Sequence, residues 1–392
     1  MLHINAEYVQ LFYFLDCYYQ YMKTKIGFIG QGWIGRNLAD HFDRRGFQIT
    51  RYAKEPEFES NKDAIAECDV VFIAVPTPST PTGFDDRILR SVLSLVGKGK
   101  TAVIKSTILP GTTDEFASLY PDRFIMHSPE FLRETSVLND IDFPDRNIVG
   151  IPSPFLNDET WLMKAREVMD VLPYAPYTAI CSAPEAELTK YGGNNFLYTK
   201  VVFMNLMYDI AKLYGADWNT IAKNMTADPR IGSSHMQPVH QHTHMESKEK
   251  GTESDVLRAV EELGYRGAGG HCFIKDFAAF RQLFEKQLSG DKEAISLLRA
   301  FESKNNKMLR DTGKDLDLLE GVYGNVTEDV REMEESVTKE SDDIQAMEQA
   351  ISNRDLATLE AAYVRAGKDL MDLEREYKDA GGDIAMLETL RS

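Results

Sequence analysis

Lys25-Ile26-Gly27-Phe28-Ile29-Gly30-Gln31-Gly32-Trp33-Ile34-Gly35 is the stretch from which the fold of this chain can be read. Its first five residues form a short apolar run that predicts a buried strand. The residues that follow, Arg36 to Arg45, carry Leu38, Ala39 and Phe42 at helical spacing. Three glycines between a strand and a helix are the setting of a dinucleotide-binding turn. Gly30 permits the tight turn, Gly32 lets the backbone approach a pyrophosphate, and Gly35 lets the helix pack closely on the strand. The helix N-terminus offers free N–H groups and the positive end of its dipole to phosphates.

Further strands follow at βα spacing. Phe47 to Tyr52 is the second. An acid is expected at its end to hold the ribose 2′-OH of NAD. Ala53 stands there instead, with Arg51 and Lys54 beside it, residues that could favour the 2′-phosphate of NADP. NAD is the expected cofactor, and NADP stays open. Asp69 to Val75 runs into Pro76-Thr77-Pro78, Thr101 to Lys105 into Ser106-Thr107, and Arg123 to Met126 into Ser128-Pro129-Glu130. Continuous apolar runs with polar C-terminal ends predict a parallel sheet buried on both faces. Ligands bind at those ends in a doubly wound sheet, which puts Thr77, Ser106, Thr107 and Glu130 on the binding edge.

Composition narrows the class. A length of 392 residues suggests two to three domains. The balance of 44 basic against 62 acidic residues, net −18, opposes general binding to phosphate backbones. No apolar run reaches the roughly 18 residues of a membrane span. Four scattered cysteines (Cys17, Cys68, Cys181, Cys272) do not make a disulfide framework, so a reducing compartment, the cytoplasm, is expected. Residues 1–21 are apolar and aromatic but lack a basic start and a cleavage site. They read as a leader of no assignable role.

From Pro184 to Tyr214 the pattern is that of one long helix, on which Lys190 and Asn194 share a face. Gly192 and Gly193 suggest close approach of another element. Later comes Gly267-Ala268-Gly269-Gly270-His271-Cys272-Phe273-Ile274-Lys275-Asp276, with a helix following. A cysteine near a helix N-terminus and a lysine has its thiolate favoured. A buried cysteine in a turn is the plainer reading of the same residues.

Taken together, these motifs resemble the UDP-glucose/GDP-mannose dehydrogenase family. The resemblance runs from residue 22 to about 280. It rests on the glycine turn, Val75-Pro76-Thr77-Pro78, Lys105-Ser106-Thr107 with Pro110-Gly111-Thr112-Thr113, and Ser128 to Glu134. Pro144-Asp145-Arg146, Glu187 to Lys190 with Asn194, Asp228 to Gly232, and Gly269 to Asp276 complete it. It implies an N-terminal Rossmann domain (22–180), an all-α central domain (181–324) that dimerises through the long helix, and oxidation of a nucleotide sugar at C6 from alcohol to acid. In the family two hydrides pass to NAD, and a cysteine carries the sugar as thiohemiacetal and thioester. By resemblance Cys272 is the nucleophile and Lys190 stabilises oxyanions. Asn194, Asp276, Glu130 and Thr107 manage water and protons. The cofactor would meet Gly30, Gly32, Trp33, Ile34, Gly35, Val75, Thr77, Ser106, Thr107 and Glu134. The substrate would meet Glu130, Phe131, Leu132, Arg133, Glu134, Lys190, Asn194, Gly267 and Gly269, with Arg230 reaching the diphosphate from a neighbouring subunit.

The chain departs from that pattern in two places. The family's third domain, a second α/β unit, should follow Asp276, but the remaining residues offer no convincing strand. Residues 277–323 read as helices. Residues 325–392 are acidic, with heptad spacing in Val326 to Ile351 and Leu356 to Tyr377 around a break at Ser352 to Asp355. A helical hairpin, with a possible coiled-coil partner, is expected there. Residues 233–266 replace a short substrate loop and hold four of the eight histidines, at 235, 240, 242 and 244. Without acidic or cysteine partners at fixed spacing, no metal site is expected. Thr252 to Leu263 reads as an added amphipathic helix. Two other readings compete with the thioester route. One is a single two-electron oxidation of hydroxyacid type using Lys190, and the other is a non-catalytic dinucleotide-binding scaffold.

Overall fold

The computed structural model describes residues 24–133, 136–240 and 264–324. The leader, Glu134, the later histidines, the helix expected at 252–263 and the heptad segments lie outside the described residues. One sheet organises the rest. Its strands are β1 (Lys25–Ile29), β2 (Gln48–Tyr52), β3 (Val70–Ile73), β4 (Thr101–Ile104), β5 (Phe124–His127), β6 (Arg146–Ile151) and β7 (Tyr177–Ser182). Their order is β2-β1-β3-β4-β5-β6-β7. The first five are mutually parallel. The chain leaves β1 for β2 on one side and returns to β3 on the other, so the switch point falls beside the glycine turn.

The five strands read from the sequence are parallel as expected, and two further strands extend the sheet. β6 pairs antiparallel with β5, and β7 runs parallel to β6. A parallel return needs a long crossover. Among its described residues the connection after β5 holds one six-residue helix, Val137–Asp142, and the chain re-enters from the edge at which β5 ended.

Apart from the four-residue helices Pro56–Glu59 and Lys62–Ile65, the α-helices among the described residues are α1 (Trp33–Arg44), α2 (Arg87–Leu93), α3 (Thr112–Leu119), α4 (Val137–Asp142), α5 (Glu159–Val171), α6 (Ala183–Leu213), α7 (Trp218–Thr226), α8 (Gly270–Gln287), α9 (Lys292–Asp311) and α10 (Leu316–Tyr323). Alternate residues of the strands feed two cores. Phe28, Val70 and Phe72 meet Leu38 and Phe42 of α1 and Trp161 of α5, while Ile29, Val71 and Ile73 meet Leu89 and Leu93 of α2 and Phe116 of α3. The Phe28 ring lies 5.3 Å from Phe42 and 5.5 Å from Phe72, all three fully buried. Each such ring stabilises the fold by about 2–3 kcal/mol. Together they clamp α1 under β1 and fix the turn between them.

β7 runs straight into α6. Ser182 caps the helix, and Glu185 reaches back to the Ser182 N–H at 2.8 Å, a capping box followed by Pro184 in the first turn. The helix lies against β6 at Gly150, where a Cβ would sit 2.8 Å from both Ala183 and Ala186. Its 31 residues span about 46 Å. α8 packs along α6, with Tyr198 and Phe277 stacked at 4.0 Å. Ser79, just beyond β3, donates to the Lys275 carbonyl of α8 at 2.7 Å and ties the sheet's C-terminal edge to the helical layer. The cleft between the edge and the helices is therefore built by contacts across both layers. Among the described residues no helix is long and apolar enough to cross a membrane.

Candidate active site

The glycine turn has the backbone its sequence predicts. Gly30 has φ +92°, and a Cβ there would lie 2.2 Å from the Ala74 carbonyl oxygen. At Gly35 a Cβ would lie 2.0 Å from the Gly30 carbonyl oxygen. Both glycines are demanded by the fold. Gly32 differs, because a Cβ built on it meets nothing within 4 Å. The open space over Gly32, at the start of α1, fits an approaching pyrophosphate. Trp33 is half-exposed beside it.

Across the switch point the ends of β3 and β4 are stitched together. The Ser106 hydroxyl donates to the Val75 carbonyl at 2.7 Å and accepts the Val75 N–H at 3.0 Å. Thr77 donates to the Thr107 carbonyl at 2.7 Å. Ser106 and Thr77 thus shape the loop with their hydroxyls. Behind them Glu187 of α6, fully buried, accepts from the N–H groups of Gly111 (2.6 Å) and Thr113 (2.9 Å) and from the Thr113 hydroxyl (2.6 Å). This carboxylate anchors α6 to the start of α3.

The ionic groups converge where β5 ends. Lys190 of α6, buried, donates its Nζ proton to the Glu130 carbonyl at 2.6 Å, and one Glu130 carboxylate oxygen is 3.8 Å away. The other Glu130 oxygen accepts the Leu132 N–H. Lys105, at the end of β4, donates to the Ser128 hydroxyl (3.2 Å) and the Pro129 carbonyl (3.3 Å). Two ammonium groups therefore hold successive residues of Ser128-Pro129-Glu130. Burial, helped by the charge of Lys190, brings Lys105 down to about 8. His127, buried beneath, is pushed down to about 3 by burial and by Lys105. The ring of Phe131 faces the Lys190 ammonium at 5.6 Å and the Arg146 guanidinium at 3.9 Å.

Cys272 enters from the first turn of α8. It is open to solvent, yet crowded enough that burial pushes its thiol up. Lys190 and Lys275 oppose that shift, while Asp276 and Glu130 add to it. Asp276, one turn on and 1% exposed, accepts from Asn194 of α6 at 2.6 Å and pairs with Lys275. Burial opposes the charge of Lys275, but Asp276 outweighs it and holds the ammonium above its usual range.

The structure thus brings together Cys272, Lys190, Asn194, Asp276 and Glu130. Other expected residues stand elsewhere. Arg133 is paired with Asp140, its Nε at 3.0 Å, and Arg230 is exposed and paired with Asp228, its Nε at 2.9 Å. The residues before Cys272 do not all offer free backbone groups. Ala268 exchanges both its N–H (2.7 Å) and its carbonyl (2.9 Å) with the Asn305 side chain. Lys314 donates to the Gly267 carbonyl at 2.8 Å, and Asp315 accepts the Gly270 N–H at 2.7 Å. A Cβ on Gly269 would collide with Asp315, at 1.9 Å from its oxygen. Nor, among the described residues, does any other element come close to Gly192 or Gly193, where a Cβ would meet nothing within 4 Å. Sequence reasoning gave Lys105 no role, although it lies inside a motif it used, and read Lys275 only as a neighbour of Cys272. Asn305, Lys314 and Asp315 carried no local signal, because their role depends on α9 folding back over the turn. Among the described residues no group of three His, Cys, Asp or Glu is placed to hold a metal.

Residues 50–161 match the NAD binding domain of the UDP-glucose/GDP-mannose dehydrogenase family, and residues 184–241 match its central domain. Over these two stretches the chain is similar to that family. A UDP-glucose 6-dehydrogenase homologue of Bacillus subtilis, YtcA, is 32% identical over 60% of this chain and 58% of its own length. The UDP-glucose 6-dehydrogenase of Rickettsia bellii is 26% identical over 69% of this chain and 59% of its own. The chain spans less than two thirds of the length of these relatives. A solved UDP-glucose dehydrogenase from the archaeon Pyrobaculum islandicum superposes with a TM-score of 0.58 at 26% identity, covering 74% of this chain and 69% of that one. NAD is the cofactor of this domain type, and the cradle over Gly32 fits it. Gly30, Gly32, Trp33 and Gly35 are the residues that would hold it, and when bound it would accept hydride.

Proposed function

We propose that this chain is an NAD-dependent dehydrogenase that oxidises a nucleotide sugar of UDP-glucose type at C6, from primary alcohol to carboxylate, through a thioester on Cys272. The observation that carries the reading is the meeting of Cys272 with two buried pairs, Lys190–Glu130 and Asn194–Asp276. In this reading loss of one hydride and one proton makes an aldehyde. The Cys272 sulfur adds to its carbon, and the oxygen takes up a proton as the thiohemiacetal forms. Loss of a second hydride and of that hydroxyl proton gives the thioester. Water then cleaves it to the carboxylate and the free thiol.

Each side chain has a task that its position supports. Lys190 holds an ammonium beside the thiol, where it favours the thiolate and stabilises oxyanions on the reacting carbon. Asn194 and Asp276 position the hydrolytic water, with the Asp276 carboxylate taking its proton. Glu130 orients Lys190, and Thr107 contributes to the same water network. The protein is further proposed to act as a homodimer through α6. Leu188, Phe196, Phe203, Leu206, Ile210 and Leu213 lie exposed along one side of that helix, Phe196 at 67% and Leu213 at 77%. Gly192 sits bare within the same stripe, which leaves room for a second helix.

A panel of nucleotide sugars incubated with the protein and NAD+ tests the proposal. Two reduced cofactors per sugar are expected, with Cys272→Ala stopping the aldehyde-to-acid half. One per sugar, unchanged in Cys272→Ala, would overturn the thioester route.

A further inference from the structure

The end of β2 is where a dinucleotide-binding sheet carries the acid that accepts a hydrogen bond from the ribose 2′-OH and repels a 2′-phosphate. The Gly30 N–H donates to the Tyr52 carbonyl at 2.9 Å, so this strand end lies directly against the glycine turn. The next residue is Ala53, buried, with a methyl group and no polar atom. Arg51 is not available as a phosphate ligand. It is tied to Asp40 at 2.6 Å and Asp43 at 3.6 Å on α1, and Asn61 caps its carbonyl at 2.9 Å. That leaves Lys54, exposed and adjacent to Ala53, and Arg36, exposed in the first turn of α1 and 4.0 Å from Glu57. Glu55 and Glu57 stand in the same loop, so the local charge is balanced and not strongly basic.

We infer that Ala53 removes the usual discrimination at the adenosine ribose, and that this domain accepts NADP+ alongside NAD+. The loss is twofold. NAD+ forgoes one charge-assisted hydrogen bond, and NADP+ no longer meets a carboxylate. With Glu55 and Glu57 offsetting Lys54 and Arg36, the preference is levelled and not reversed. The inference rests on the NAD-binding reading of the domain and is independent of which sugar is oxidised.

Calorimetric titration of the full chain with NAD+ and with NADP+, in the absence of sugar, tests it. The two dissociation constants are expected to lie within about tenfold of each other. Ala53→Asp is expected to weaken NADP+ by about ten- to a hundredfold, as a lost or repelled charged partner does, while leaving NAD+ equal or tighter. Because Ala53 is buried, the exposed Lys54→Glu serves as a second variant. It should weaken NADP+ several-fold and leave NAD+ unchanged. NADP+ binding more than a hundredfold weaker than NAD+ would overturn the inference, as would a ratio that neither variant moves. Failure of both dinucleotides to bind would overturn the cofactor reading itself, a distinct result.

Discussion

Asn194 of α6 and Asp276 of α8 join two helices through one 2.6 Å hydrogen bond, and the carboxylate at its centre is also the counter-ion of Lys275. Asp276 is 1% exposed, so neither partner can lose it cheaply. Removing the charge altogether would strand a shielded ammonium, at a cost of about 3 kcal/mol. Asp276→Asn keeps the shape, carries that cost in stability, and removes the base. In the proposed chemistry it should leave the hydride steps in place and slow the last one. The expected result is a kcat lower by about 10²- to 10³-fold, with an acyl adduct on Cys272 visible by mass spectrometry. An unmodified enzyme at the same low rate would place Asp276 earlier in the sequence.

Cys272 feels charges of opposite sign, and they should be separable. Its thiol is raised by burial, so iodoacetamide alkylation should climb with pH to a midpoint above the ordinary value of 9. The Lys190 ammonium favours the thiolate. Lys190→Met should therefore move the midpoint up and slow alkylation at pH 8. The Asp276 carboxylate disfavours it, so Asp276→Asn should move the midpoint down. Peptide mapping of Cys272 with time gives both. Shifts of the same sign in the two variants would contradict the arrangement.

The sequence made the cleft legible wherever a residue's role follows from its own neighbours in the chain. Gly30 and Gly35 are dictated by a strand–turn–helix that is complete within twenty residues. Lys190 and Asn194 share a helix face by spacing alone. What could not be read depends on parts far apart. Nothing near Lys105 says that Ser128 and Pro129 will lie within reach of its ammonium. Nothing near Gly267 says that Asn305 and Lys314 will take up its backbone partners. β6 and β7 were missed because Arg146-Asn147 and Tyr177-Thr178 dilute their apolar runs, and the reversal of β6 is set by the short path from β5. Arg51 looked like a phosphate ligand in sequence, and its two aspartates come from α1, packed alongside.

His127 predicts a pH dependence of stability. Its folded value, about 3, lies below the ordinary 6.5, because burial and the Lys105 ammonium keep the ring neutral. The unfolded chain therefore binds a proton that the folded one refuses, and the stability contributed by this group falls as pH drops through 6.5 towards 3. The slope is about 1.4 kcal/mol per pH unit across that window. Urea unfolding of the wild type and of His127→Gln at pH 7, 6 and 5 should show the gap between them narrowing, or reversing, with acid. A gap that does not change with pH would mean that the ring binds its proton equally well in the folded and unfolded chain.

The stripe on α6 sets a further expectation. Phe203 and Ile210 lie about two turns apart along it and are about half-exposed. Replacing both with glutamate costs little in an isolated subunit and puts four like charges across a symmetric interface. Light scattering should find a dimer for the wild type and a monomer for the double variant, with the circular dichroism unchanged. A monomeric wild type would remove the case for the interface.

Gly32 and Gly35 are three residues apart and should fail in opposite ways. A methyl on Gly35 is driven to 2.0 Å from the Gly30 carbonyl, a backbone atom that cannot yield without opening the turn. Gly35→Ala should therefore lower the unfolding midpoint, by about 2 kcal/mol or more for an overpacked site, and lose NAD+ with it. A methyl on Gly32 meets no protein atom within 4 Å. Gly32→Ala should unfold at the wild-type temperature and still lose most of its NAD+ affinity, because the methyl occupies the space left for the pyrophosphate. Differential scanning calorimetry with and without NAD+ reads both effects in one experiment. If Gly32→Ala kept its NAD+-induced gain in stability, the space over Gly32 would not be the phosphate cradle.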